Sequence, residues 1–397
     1  MSTTATGSPS VRPKAPLLYN PRFRSIAYQA VLCAAVAFLA WSAFNNAVDN
    51  LTRAKIASGF GFWDDIAGFD ISQTLISYST TSTYGRAFWV GLLNTLLIAS
   101  IGVVLSTILG FLIGIARLSR NWLVSRLAGG YVELIRNLPL LLQLLFWYNA
   151  VIAALPDLRE SVAIPGGGLL NNRGLFLPKP AFLEGAWPAL AALVLGIACA
   201  VAYRIWAKRR QARTGQQAPV LAVALGLIVA LPLAVFAVAG FPVEFAYPER
   251  ARFNIRGGIE ILPEFMALLF GLVTYTAAFI AEAVRAGIMA VSRGQTEAAY
   301  SLGLKPGPTL RLVVVPQAMR VIVPPLTNQY LNLTKNSTLA VAIGYPDLVQ
   351  IFAGTVLNQT GQAVEVIAIT MAVYLTISLG TSLAMNLYNR RVALVER

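Results

Sequence analysis

Phe88–Ala116 reads FWVGLLNTLLIASIGVVLSTILGFLIGIA, a run of 29 residues without one charged side chain. A helix needs about 20 apolar residues to cross the hydrocarbon core, and a spanning helix satisfies its own backbone hydrogen bonds. Packed into a soluble domain, such a run would leave no polar face for water. Further apolar spans fall at about 26–48, 131–154, 187–206, 218–240, 262–289, 337–356 and 364–387, eight in all. The whole chain agrees: 57% of its 397 residues are hydrophobic and 12% charged, about half the charged share of an average soluble domain. The sequence predicts an all-α membrane protein with about eight transmembrane helices.

Residues 1–24 are rich in Ser, Thr, Pro and Gly and carry Arg12, Lys14, Arg22 and Arg24, which reads as a disordered tail. The span after it is longer than a signal-peptide h-region and follows a long basic tail, so an uncleaved anchor is expected. With the N-terminus inside, the inner loops and tails carry 20 Lys and Arg and the outer loops 9. That bias predicts both termini in the cytoplasm. It also accounts for the net charge of +14: the basic residues sit in short loops, with no basic face interleaved with stacking aromatics, so nucleic acid is excluded as a partner.

Several chemistries are excluded as well. The chain has no histidine, and Cys33 and Cys199 fall inside expected spans, so no metal site or disulfide framework can be built. Pro165-Gly166-Gly167-Gly168 lacks the preceding strand and following Gly-Lys-Ser/Thr of a phosphate cradle, and is expected to be a loop. No Walker A motif occurs anywhere. The chain is expected to be no enzyme and to hold no cofactor or metal.

The stretch 290–335 lies between two of the expected spans. Thr296 to Leu302 are mostly good helix formers, Gly303 is placed for a left-handed cap, and Pro306 and Pro308 turn the chain before a second helix near Thr309. The expectation is a helix, a sharp turn and a helix at the membrane surface. Ala298, Ala299 and Leu302 would share one side, and Glu297 could meet a partner's basic group. Two readings stay open: a knob docked in a partner's groove, or an amphipathic helix lying on the bilayer.

Glu297-Ala298-Ala299, Gly303 and Val315-Pro316-Gln317-Ala318-Met319-Arg320 resemble the EAA loop of type I ABC importer permeases. Gly294-Gln295, Leu302-Gly303-Leu304, Pro324, Asn328 and Lys335 resemble that family's polar amino-acid branch. So do Tyr131-Val132-Glu133-Leu134-Ile135-Arg136-Asn137-Leu138-Pro139-Leu140 and Gln143. The likeness covers about 88–154 and 262–388, and is greatest to the larger, Q-type permease subunits of general L-amino-acid transporters. It implies a five-helix core forming half of a pathway in the bacterial inner membrane. It also implies two copies of a cytoplasmic ATPase subunit, a second permease subunit (the same or homologous) and a periplasmic amino-acid-binding protein. Gly294, Glu297, Ala298, Ala299 and Gly303 would couple to the ATPase. The implied organisation is a tail (1–24), an anchor and periplasmic loop (25–86), a transport domain (87–388) with the EAA loop at 294–320, and a tail (389–397). A two-helix insertion at 155–261 departs from the family pattern. The alternative is an ion-coupled secondary amino-acid transporter, which leaves the structured 294–308 segment without a purpose.

Charges in the hydrocarbon need partners or a watery cavity. Glu133 with Arg136, and Glu282 with Arg285, have the spacing of three that puts an acid and a base on one helical face. Each reads as a structural ion pair, and Glu282 alternatively as a pathway residue meeting the solute's ammonium group. Asn94, Gln143, Thr274, Asn328 and Lys335 are further pathway candidates, each of which could instead be an interhelical hydrogen bond. Gly344, Pro346 and Asp347 interrupt the span 337–356 and are expected to break it. Gly110 and Gly114 fit close helix packing.

Overall fold

The structure, a computed structural model, describes residues 21–53, 58–251 and 254–392. In chain order its helices are α1 (Pro21–Arg53), α2 (Tyr84–Ala116), α3 (Trp122–Asn137), α4 (Leu140–Ile152) and α5 (Trp187–Thr214). They continue as α6 (Val220–Val238), α7 (Pro263–Met289), α8 (Arg293–Ser301), α9 (Pro306–Ile343) and α10 (Ala363–Val392). Among the described residues seven helices are long and apolar enough to cross a membrane, or eight if the bent α3–α4 pair counts as one span. Of the expected tails, 1–20 and 393–397 lie outside the described residues, whereas 21–24 and 389–392 are already helical.

The core is built on α2 and α7, which run parallel and nearly touch. A Cβ on Gly110 would lie 2.5 Å from Ile280 Cγ2, and one on Gly114 2.8 Å from the Ala281 carbonyl. Lipid offers apolar side chains no reason to leave it, so helices in a bilayer associate through such close backbone approach. α9 packs antiparallel on α7, burying Ile280, Val284, Ala318, Ile322 and Leu326 at one end and Leu268, Leu272 and Leu333 at the other. α8 is the short connection between α7 and α9, and its end of the bundle is termed the knob end.

α3 meets α4 at 108°. Pro139 has no N–H to donate, so the carbonyls before it need other donors. Gln143 supplies them, its Nε2 donating to Ile135 O at 3.0 Å and Leu138 O at 3.1 Å.

Two expectations are corrected here. The span assigned to 337–356 is instead α9, 38 residues long, so the helix expected near Thr309 runs on through the bundle rather than staying at the membrane surface. Its apolar residues are diluted by Arg311, Arg320, Gln317 and the prolines at 316, 324 and 325, so it is less apolar than α2. The break near Gly344 is present, but it terminates α9. Gly344 takes φ +76° and the Tyr345 N–H reaches back to Ala340 O at 3.2 Å. A wide-turned segment, Val349–Val356, then leads toward α10.

The second correction concerns the 155–261 insertion, whose ends are strands rather than loop. β1 (Val162–Ile164), β2 (Gly168–Asn171), β3 (Gly174–Leu177) and β4 (Lys179–Phe182) precede α5. β5 (Val243–Ala246), β6 (Glu249–Arg250), β7 (Ile255–Arg256) and β8 (Ile259–Ile261) follow α6. They pair antiparallel in the orders β1-β2-β3-β8, β4-β5 and β6-β7. Leu175 opposes Ile261 and Pro180 opposes Phe245, so the chain leaves and re-enters side by side. Pro165, Gly166 and Gly167 form the turn between β1 and β2, and Gly168 opens β2. The α5–α6 hairpin is closed by small residues: Ala192, Gly196 and Ala200 are buried, with Gly196 against the Leu227 carbonyl.

Candidate functional site

At the knob end, α8 is stopped as its sequence predicts. Gly303 takes φ +78°, its N–H donates to Tyr300 O at 2.9 Å, and the Leu304 N–H reaches Ala299 O at 3.1 Å. This is a complete left-handed cap. The expected common face of Ala298, Ala299 and Leu302 is not observed: Ala299 is 4% exposed and anchors α8 to the body, while Leu302 is 82% exposed and Ala298 faces outward. Residues three apart point together only when the helix runs on, and Leu302 already lies in the cap. Glu297 and Tyr300 are exposed, and Glu297 forms no ion pair among the described residues. Gly294 is exposed, and a Cβ there would meet only Ser292 Oγ at 3.7 Å. Nothing else in this chain calls for its lack of a side chain. Gln317 Nε2 donates to Gln295 Oε1 at 3.2 Å, tying α9 to α8.

Just above, one carboxylate gathers three guanidinium groups. Glu282 on α7 accepts from Arg285 Nη2 at 2.6 Å and from Arg117 Nη1 at the end of α2, with Arg136 Nη1 of α3 at 3.7 Å. The Glu282–Arg285 spacing therefore forms the expected pair, but Glu133–Arg136 does not. Arg136 turns toward Glu282 and lies over the Phe279 ring at 5.2 Å, which leaves Glu133 exposed and without an ion pair among the described residues. A carboxylate already near two arginines, beside an aromatic face, outcompetes one facing solvent.

The other pathway candidates divide. Asn94 is fully buried, its Nδ2 donating to Pro346 O at 2.8 Å and Gln73 O at 2.9 Å. Its neighbour Thr95 accepts from the Leu348 N–H at 3.0 Å. These two side chains bind the α9 break to α2, and Gln143 likewise serves the α3–α4 bend. Thr274 Oγ1 donates to Phe270 O at 2.6 Å on its own helix.

Asn328 and Lys335, by contrast, lie exposed on one stripe of α9 with Asn332. Beside them α7 and α9 enclose a cleft of about 230 Å³ lined by Tyr275, Thr276, Phe279, Gln329, Asn332 and Asn336. It is large enough to hold several waters. Three amides and two hydroxyl-bearing side chains face it, a lining able to donate to a carboxylate and accept from an ammonium group. Gln329, Asn336, Thr276 and Phe279 are not among the sequence candidates. The helical spacing of the amides at 329, 332 and 336 is the available signal for the other two amides.

Residues 192–394 match the family model described as "Binding-protein-dependent transport system inner membrane component". The chain is 54% identical, over 96% of its length and 95% of that protein, to the General L-amino acid transport system permease protein AapQ of Rhizobium johnstonii. It is 50% identical to the Putative amino-acid ABC transporter permease protein YhdX of Escherichia coli, over 95% of this chain and 96% of that one. To the Glutamate/glutamine/aspartate/asparagine transport system permease protein BztB of Rhodobacter capsulatus it is 44% identical, over 96% of each. The chain belongs to the inner-membrane permease components of binding-protein-dependent ABC transport systems.

Proposed function

We propose that this permease forms half of a pathway carrying L-amino acids into the cytoplasm, with the knob end cytoplasmic and α8 seated in a cleft of an ATPase subunit. Membership of the family makes the chain a multi-pass permease component rather than an enzyme, working with ATPase and solute-binding partners, and sets aside the ion-coupled transporter. The finer reading adds two ATPase copies, a second permease subunit, the same or homologous, and a periplasmic amino-acid-binding protein. The transport domain is 87–388, carrying the insertion 155–261 and the EAA loop 294–320. Gly294, Glu297, Ala298 and Gly303 are assigned to the ATPase contact, with Ala299 as the anchor behind them. Asn328, Lys335 and the amide cleft are assigned to the pathway. The excess of basic residues supports this orientation, and it survives removal of Arg311, Arg320 and Lys335, which lie on α9.

One observation carries the reading. α8 is the covalent link between α7 and α9, the two helices whose facing side chains line the amide cleft. Drawing two α8 knobs together as the ATPase subunits close therefore acts directly on the walls of that cleft. The relatives above are named for amino-acid transport, AapQ for L-amino acids, which supports the substrate class.

The test is the assembled importer in proteoliposomes, supplied with ATP on the knob side and loaded binding protein on the other. Glu297→Ala is expected to abolish both L-amino-acid uptake and binding-protein-stimulated ATP hydrolysis. Uptake at the wild-type rate by that variant sinks the coupling assignment.

A further inference from the structure

Beside the Glu282 clamp, and outside the amide cleft, the knob end holds a second concavity of about 780 Å³ between α3 and the ends of α2 and α7. Arg117, Arg120, Arg126 and Arg285 line it, against the single carboxylate of Glu133. Arg117 and Arg285 are partly neutralised by Glu282, whereas Arg120 and Arg126 are exposed and form no ion pair among the described residues. Arg285 is short of acceptors. Its Nη2 meets Glu282, its Nη1 faces the Met289 thioether at 3.0 Å, and its buried Nε has no partner among the described residues. A thioether accepts only weakly, so Arg285 keeps hydrogen-bonding capacity that its partners do not fill. Nothing in the coupling or pathway assignments uses this cleft.

We propose that it binds the phosphate of an anionic phospholipid headgroup in the leaflet at the knob end. The shared chemistry is a phosphate monoanion held by forked guanidinium groups, which a soluble phosphate also offers. The surroundings favour lipid. The same helix α3 exposes Trp122 (72%), Leu123 (55%) and Leu127 (66%) beside the basic residues. Tryptophan and leucine next to arginine is the composition of a helix lying at the membrane interface, with acyl chains on one side and headgroups on the other. Basic pockets between spanning helices are where such headgroups dock.

The test uses the assembled importer, delipidated in detergent, incubated with an equal mixture of phosphatidylglycerol and phosphatidylcholine, and weighed by native mass spectrometry. The wild type is expected to retain phosphatidylglycerol in preference. Arg120→Gln/Arg126→Gln is expected to lower that retention about thirtyfold, each basic side chain near an anionic surface contributing about fivefold. Arg209→Gln/Arg210→Gln, at the exposed end of α5, serves as the control for a merely basic surface and should leave retention unchanged. If the Arg120/Arg126 pair fails to assemble, Arg120→Gln and Arg126→Gln singly carry the test, each expected to lower retention about fivefold. Equal retention by variant and wild type overturns the proposal, as does equal retention of phosphatidylcholine. Loss of the lipid to excess inorganic phosphate would reassign the cleft to a soluble anion and overturn it equally.

Discussion

The side-chain amide of Asn94 on α2 holds the carbonyl of Pro346, 252 residues later in the chain, at 2.8 Å. Pro346 lies in the break that ends α9, and Tyr345 OH returns the contact by donating to Asn94 O at 3.3 Å. Asp347 completes the junction, accepting from the Gln350 N–H at 2.8 Å and from Tyr374 OH of α10 at 3.3 Å. An interrupted helix inside a membrane exposes backbone groups that water does not reach. Here Asn94 and Thr95 of α2 satisfy the Pro346 carbonyl and the Leu348 N–H.

Asn94→Leu is accordingly expected to lower stability. It strands the carbonyls of Gln73 and Pro346, at about 0.6–2 kcal/mol for each membrane hydrogen bond lost. Thermal unfolding of the purified complex in detergent should show a lower midpoint than the wild type. An unchanged midpoint would mean that the break supports itself.

The Glu282 cluster predicts strong non-additivity. Glu282→Gln removes the acid that faces three guanidinium groups, and Arg117→Gln removes one of those bases. In a double-mutant cycle on unfolding free energy the pair should couple by about 0.5–3 kcal/mol. Additive effects would show that the contact contributes nothing. In the same samples, wild-type uptake by Glu282→Gln would confine the residue to structure.

Gly303 offers a graded test of the α8 cap. Its φ of +78° is costly for a residue with a Cβ, about 1–2 kcal/mol, and least so for asparagine, whose short polar side chain tolerates that region. Stimulated ATP hydrolysis should therefore fall in the order wild type, Gly303→Asn, Gly303→Val. Equal activity across the three would show that the cap is dispensable to coupling.

The amide cleft predicts a split in kinetic parameters. Asn332→Leu removes a hydrogen-bonding group from the lining without touching α8, and a hydrogen bond to a charged solute contributes about 1.5–3 kcal/mol. The KM for amino-acid uptake should rise about tenfold or more, while basal ATP hydrolysis stays at the wild-type level. A KM equal to that of the wild type removes the residue from the pathway.

The features legible in the sequence were those whose cause is local. The charge-free run of α2 announces a span by itself, and Gly303 announces the end of α8 because only a few residues separate the cap from the carbonyls it serves. The helix near Thr309 is expected from the sequence, but its continuation to Ile343 as a span is not, because its arginines and amides lower the hydropathy by which spans are found. The insertion's strands, two to four residues each, pair across long separations, as Leu175 with Ile261 does, and no local pattern encodes such a register. The Glu-x-x-Arg spacing correctly joined Glu282 to Arg285 but also joined Glu133 to Arg136. The decisive competitor for Arg136, Glu282, lies 146 residues away.

The pairing of β3 with β8 gives the permease a seam. Everything between Leu177 and Ile259 departs and returns through adjacent strands, so the α5–α6 hairpin is an outrigger whose two attachment points already stand beside each other. The transport machinery is thereby insulated from whatever the outrigger is shaped to meet.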